Sequence, residues 1–154
     1  MPKERFKIPF AAYLIVRNAS GLLLSLRRNT GFMDGYYGLV SGHIDGGEPA
    51  SLACVREARE EAGIRLSPAG IRPVHVMHRL STLGQEYVDF YFMADGYAGP
   101  VRNAEPSKCA GLDFFKESGL PDNTIPYVRF AIGEALAGVF YSEYGFGARG
   151  GRGR

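Results

Sequence analysis

The stretch Gly42–Ile64, GHIDGGEPASLACVREAREEAGI, decides how this chain of 154 residues is read. Its second half predicts a helix over Ala50–Ala62: strong helix formers run through it, Pro49 stands where a first turn tolerates proline, and Gly63 follows as a C-cap signal. At about 100° per residue, Glu57, Glu60 and Glu61 share an arc of roughly 100°. Cys54, Ala58, Ala62, Val55 and Leu52 form the apolar face beside them. Like charges at i, i+3 and i+4 repel, so the cluster needs a cation. Arg56 and Arg59 can supply one as ordinary surface ion pairs. A hard divalent ion is the other source, since it binds carboxylates together with phosphate oxygens. The preceding loop weighs toward the ion. Gly42, Gly46 and Gly47 let backbone approach the start of the same helix, where amides and the helix dipole favour anions, and Glu48 lies within reach of Arg56. A carboxylate cluster beside a loop that accommodates phosphate points to metal-assisted phosphate chemistry.

The spacing carries a resemblance. Gly42 is followed after five residues by Glu48, and after seven more by Arg56-Glu57, Ala58, Glu60-Glu61, Gly63 and Ile64. This is similar to the signature of the Nudix hydrolases at every fixed position, with Ala58 where a larger aliphatic residue is common. Val40-Ser41 stands where many members carry Pro-Gly. The resemblance implies an α/β fold, the Nudix-type α/β/α sandwich with a mixed central sheet, over about Phe6 to Phe140. It implies hydrolysis of a nucleoside diphosphate linked to some moiety X, with Mg²⁺ or Mn²⁺ as cofactor. Glu57, Glu60 and Glu61 would bind the metal with the Gly42 carbonyl, Glu57 is the first choice as general base, and Arg56 would orient Glu48 and the helix carboxylates. Outside the signature, the resemblance offers Glu105 as a further metal ligand, Arg27 and Arg28 as phosphate-binding residues at a strand end, and Asn123 at the base edge.

Outward from this segment, the chain reads as strands, helix, strands, helix. Phe6 to Arg17 and Leu22 to Arg28 predict an antiparallel pair around Asn18-Ala19-Ser20-Gly21. A short strand is expected over Tyr36–Val40, and the glycine-rich loop over Gly42–Gly47. Val74–Leu80 and Glu86–Asp95 predict a hairpin around Gly84. In its second strand Val88, Phe90 and Phe92 line one face and Tyr87, Asp89 and Tyr91 the other. Leu112–Phe115 reads as a strand and Pro126–Phe140 as a closing helix. His43 occupies a variable position of the signature. His75 and His78 are three apart on a strand, so they face opposite sides and form no metal pair. Tyr36, Tyr37, Tyr87 and Tyr91 offer rings for stacking on a base, with packing as their default role.

Charge and composition set the bounds. The 18 basic and 16 acidic residues give a net +2. Three arginines and no acid fall in the last ten residues, GFGARGGRGR, and without that tail the body carries 15 basic and 16 acidic residues. A single domain over residues 1–144 is expected, followed by a flexible Gly/Arg-rich tail over 145–154. A near-neutral body argues against nucleic acid as a partner. The longest apolar run near the start, Phe10–Val16, spans seven residues against the ~20 of a membrane-spanning helix, so no membrane association is expected. Two cysteines without CxxC spacing suit reduced thiols in the cytoplasm. The expected partner is a small nucleotide, first a nucleoside triphosphate, oxidised or not. ADP-ribose or a nucleotide sugar is the alternative substrate, and a nucleotide-sensing module without catalysis the alternative class. Many Nudix proteins are dimers, so a homodimer is carried as an expectation, although no apolar patch in the sequence supports it.

Overall fold

The structure, a computed structural model, describes residues 1–147. Its strands are β1 (Phe10–Asn18), β2 (Gly21–Arg27), β3 (Tyr37–Gly38), β4 (Val40–His43), β5 (Ile71–Leu80), β6 (Glu86–Ala94), β7 (Cys109–Phe115) and β8 (Tyr141–Tyr144). Helix α1 (Ala50–Ala62) follows β4, and helix α2 (Pro126–Leu136) follows β7. The sheet runs β3-β2-β1-β6-β5-β8, with β4 also paired to β1 and β7 to β2. The β1–β6 and β5–β8 pairs are parallel, and the remaining pairs are antiparallel. The sheet is therefore mixed, as expected.

Alternation along β1 builds both faces of the sandwich. Ala11, Tyr13 and Ile15 point into a core with Val128, Ala131 and Ile132 of α2. Ala12, Leu14 and Val16 point the other way, into a core with Ala53, Cys54, Ala58 and Ala62 of α1. β6 repeats the pattern, with Tyr91 in the first core and Phe92 in the second. A strand buried on both sides reads as a continuous apolar run, and Ala11–Val16, within the apolar run Phe10–Val16, is that stretch.

Helix α1 occupies the residues that the sequence predicts. It ends where Gly63 takes the left-handed conformation at φ 67°. The Gly63 amide then donates to the Arg59 carbonyl (3.1 Å) and the Ile64 amide to that of Ala58 (3.4 Å), and Ile64 is fully buried below the cap.

The structure corrects several expectations. Leu52 is exposed, and the buried face of α1 runs through Ala53, Cys54, Ala58 and Ala62. Glu57 and Glu61 thus lie within the face that meets the sheet and not merely beside it. The segment expected as one strand over Tyr36–Val40 breaks at Leu39, and β4 extends through Gly42 and His43, which were expected in a loop. The first strand starts at Phe10, and Phe6 is exposed. The closing helix stops at Leu136. Gly138 turns the chain at φ 76°, and β8 adds an unforeseen parallel edge strand against β5. Of the tail, residues 145–147 are described, with the Phe146 ring 4.6 Å from that of His78. Residues 148–154 lie outside the described residues. No helix among those described is long and apolar enough to cross a membrane.

Candidate active site

Helix α1 packs on β4 and β1, which brings its acidic residues against the strand that carries Ser41 and Gly42. Gly42 makes the close approach: a Cβ there would lie 1.9 Å from Glu57 Oε1. Gly46 and Gly47 make none, since nothing lies within 4 Å of a Cβ at either position. Ser41 pairs with Tyr13 in the sheet, and its backbone is not among those at positive φ. Serine therefore serves here without strain, and its amide donates to Glu61 Oε2 (3.2 Å).

Arg56 is the hub of the cluster. It forks onto Glu48, Nε to Oε2 and Nη2 to Oε1, both at 2.9 Å. Its Nη1 donates to Glu57 Oε1 (2.7 Å) and Glu60 Oε2 (3.3 Å). Bidentate charge-assisted bonds of this kind fix direction as well as charge. The fork holds Glu48 below the usual carboxylate range. Burial raises Glu57 against the pull of Arg56. Glu61, whose one hydrogen bond among the described residues is to the Ser41 amide, is pushed up to about 8 by burial and then by the charge of Glu57.

A cavity of about 400 Å³ opens over these acids, lined by Glu57, Glu60, Glu61 and Glu105, with Arg27 and Lys108. A neighbouring cavity of about 480 Å³ has aromatic walls that include Tyr13, Phe32, Tyr87 and Tyr127. The two share Arg27, Thr30, Leu39 and Ser41, so they lie side by side along one cleft with an acidic end and an aromatic end. Arg27 stands at the junction. Its Nε donates to the Phe32 carbonyl (2.8 Å) and its Nη2 to Thr30 Oγ1 (3.1 Å). Thr30 is in turn held by Asp34, which takes its hydroxyl (2.6 Å), its amide (3.0 Å) and the Gly31 amide (3.1 Å).

The structure thus gathers Glu48, Arg56, Glu57, Glu60, Glu61, Glu105, Gly42 and Arg27. It does not gather Arg28 or Asn123. The Arg28 guanidinium turns to the Pro106 carbonyl, and the Asn123 amide braces the Gly35 carbonyl (2.8 Å); both residues lie outside the two cavities. Tyr91 is fully buried and stacks on Tyr13 at 4.7 Å, so its ring is closed to a ligand. Tyr37 packs on Phe115. His75 is buried between the Val139 carbonyl and Ser142, while His78 faces Glu86. Lys108, Thr30, Arg79 and Tyr127 escaped the sequence reading, because strands and loops far apart in the chain bring them to the cleft.

The donor set fits a hard divalent cation. Four carboxylates line one cavity, Glu61 has no cationic hydrogen-bond partner, and all the donors are oxygen. Among the described residues no three such side chains are already converged as a ligand set; Arg56 holds Glu57 and Ser41 holds Glu61.

The chain has relatives among known proteins. The family described as NUDIX domain matches residues 7–129. The chain belongs to the Nudix family. The crystal structure of a MutT Nudix hydrolase from Burkholderia pseudomallei superposes with a TM-score of 0.75 at 25% identity, covering 83% of this chain and 98% of that one. The E. coli ORF135 protein gives 0.71 at 20% identity over 85% and 90% of the two chains. An ADP-ribose pyrophosphatase from Streptococcus suis gives 0.59 at 16% over 89% and 98%; these last two show the fold alone. As a Nudix pyrophosphohydrolase, the chain joins a family whose members generally use divalent metal ions.

Proposed function

We propose that this Nudix hydrolase cleaves the pyrophosphate bond of a nucleoside triphosphate in the presence of Mg²⁺ or Mn²⁺. The observation that carries the reading is the pair of adjoining cavities: acidic residues with Arg27 and Lys108 at one end, aromatic rings at the other. Glu57, Glu60 and Glu61 would hold the cation with the Gly42 backbone and Glu105. When bound, the ion neutralises phosphate charge and lowers the pKa of an attacking water. Arg27 and Lys108 face the carboxylates and would bind the phosphate chain from the other side. Arg56 keeps Glu57 and Glu48 in a fixed direction, so that Glu57 can accept a proton from water. The intact signature favours an enzyme over a sensing module. Two free, buried cysteines suit a reducing compartment, and the cytoplasm is the proposed location.

A panel of nucleoside triphosphates, oxidised nucleotides, ADP-ribose and nucleotide sugars, assayed with Mg²⁺ and with Mn²⁺, tests this. Turnover of triphosphates that EDTA abolishes is the expected result. Exclusive turnover of ADP-ribose would move the substrate to the alternative class, and inertness toward every compound would overturn the hydrolytic reading.

A further inference from the structure

At the aromatic end of the cleft lies a charge that the chemistry above does not use. Arg79 of β5 and Asp89 of β6 form an ion pair with side chains only 6% and 0% exposed. Arg79 Nε donates to Asp89 Oδ2 (2.6 Å) and Nη2 to Oδ1 (3.3 Å). The guanidinium carbon lies 4.3 Å from the centre of the Tyr87 ring and 3.9 Å from that of Tyr127. A ring from β6 and a ring from α2 therefore cover the cation, and Asp89 occupies one of its edges. Nη1 makes no hydrogen bond among the described residues, and Arg79 lines the 480 Å³ cavity.

Stability alone does not account for this arrangement. A buried ion pair is often no more stabilising than apolar residues of the same volume. Nor is it a phosphate site, because Asp89 cancels the charge; among the described residues Arg27 and Lys108, which line the acidic cavity, have no such partner. What remains is a fixed N–H donor at the edge of a planar cation, in a cleft walled by aromatic rings. Its complement is a flat, neutral ring that carries a carbonyl oxygen. A ring with an exocyclic amino group at the same place sets donor against donor and leaves the guanidinium N–H unpaired, the kind of mismatch that polar sites reject strongly.

We infer that Arg79 is a specificity-determining residue that selects oxo-purine nucleotides over amino-purine nucleotides. The inference rests on the nucleotide reading of the neighbouring acidic cavity. ITP and ATP test it, since their bases differ at the 6 position, oxo against amino, and in the proton that N1 carries in the 6-oxo base. With wild type, kcat/KM for ITP is expected to exceed that for ATP by about 10- to 100-fold, the worth of one hydrogen bond to a charged group. In Arg79→Lys, which keeps a cationic partner for Asp89, the ratio collapses toward unity. The loss falls on KM for ITP more than on kcat. Arg79→Met combined with Asp89→Leu removes both charges, strands neither, and should show the same collapse.

A wild type that treats ITP and ATP alike overturns the inference. So do variants that lose ITP and ATP activity in equal measure, since that is the signature of a packing role. If wild type hydrolyses neither, the triphosphate reading fails on its own account. Calorimetric titration with IMP and AMP then still decides Arg79: tighter IMP binding that vanishes in Arg79→Lys supports it, and equal binding overturns it.

Discussion

Gly42 lies directly against the Glu57 carboxylate: a Cβ on Gly42 would sit 1.9 Å from Glu57 Oε1 and 2.4 Å from its Cδ. Glu57 cannot swing aside freely, because Arg56 grips the same oxygen at 2.7 Å. Gly42→Ala should therefore leave the sheet intact and displace the carboxylate. A misplacement of about 1 Å at a reacting group costs on the order of 100-fold in rate. The expected outcome is a kcat lower by about that factor with a melting temperature close to wild type, read by steady-state kinetics and thermal denaturation. Wild-type turnover in this variant would show that Glu57 tolerates displacement.

Glu57→Gln and Glu61→Gln should each abolish metal-dependent phosphate release while the protein remains folded, since the amide preserves shape and, at position 61, an acceptor for the Ser41 amide. A ligand that binds only the folded state raises its stability. Mg²⁺ should therefore raise the melting temperature of wild type and leave that of both variants unmoved. Retention of full turnover by Glu61→Gln would remove it from the metal assignment.

Asp34 governs the posture of Arg27 through Thr30. Hydrogen bonds from the Thr30 hydroxyl, the Thr30 amide and the Gly31 amide hold its carboxyl below the ordinary 3.8. For a carboxylate depressed in the folded state, the stabilisation is complete above the unfolded value and fades as pH falls through the folded one. The stability deficit of Asp34→Ala, measured by urea unfolding, should thus be present at neutral pH and disappear in strong acid. Because Arg27 loses its support, KM for a triphosphate should rise more than kcat falls.

Burial pushes the Cys54 thiol up to about 12. Thiolate is the reactive form, so Cys54 should be inert to Ellman's reagent at pH 8 in the native state and react once denaturant is added. A Cys109→Ala background isolates the signal. Fast labelling of the native protein would contradict the packing of α1 on the sheet.

The legibility of the sequence follows how local each feature is. Helix α1 was readable to its ends because its breaker, Gly63, and its helix formers lie within the helix's own span. The hairpin of β5 and β6 is readable from alternation and the turn at Gly84, although β5 begins at Ile71 and not at Val74. Leu52 misled because a helical wheel ranks residues by hydrophobicity, whereas the direction of the sheet decides which arc is covered; the sheet meets the arc that includes Glu57 and Glu61. β8 is hidden in the sequence because the apolar spacing of α2 runs on through Val139, past Gly138, where the chain turns at φ 76°. Asn123 was a reasonable base-edge residue until its amide met the Gly35 carbonyl, 88 positions away in the chain. The aromatic end of the cleft was illegible for the same reason: Arg79, Tyr87 and Tyr127 meet only after β5, β6 and α2 have assembled.

The shared wall between the two cavities has a consequence for how such a protein changes over generations. The acids of the smaller cavity come mainly from α1, with Glu105 beyond it, whereas the larger cavity takes its lining from strands β1 to β6, α2 and the loops between them, and none from α1. Arg27, Thr30, Leu39 and Ser41 alone belong to both ends. Substitutions in the second group can alter which compound is consumed while the bond-breaking helix stays untouched. Innovation is thereby decoupled from catalysis, except at four junction positions where a single change alters both at once.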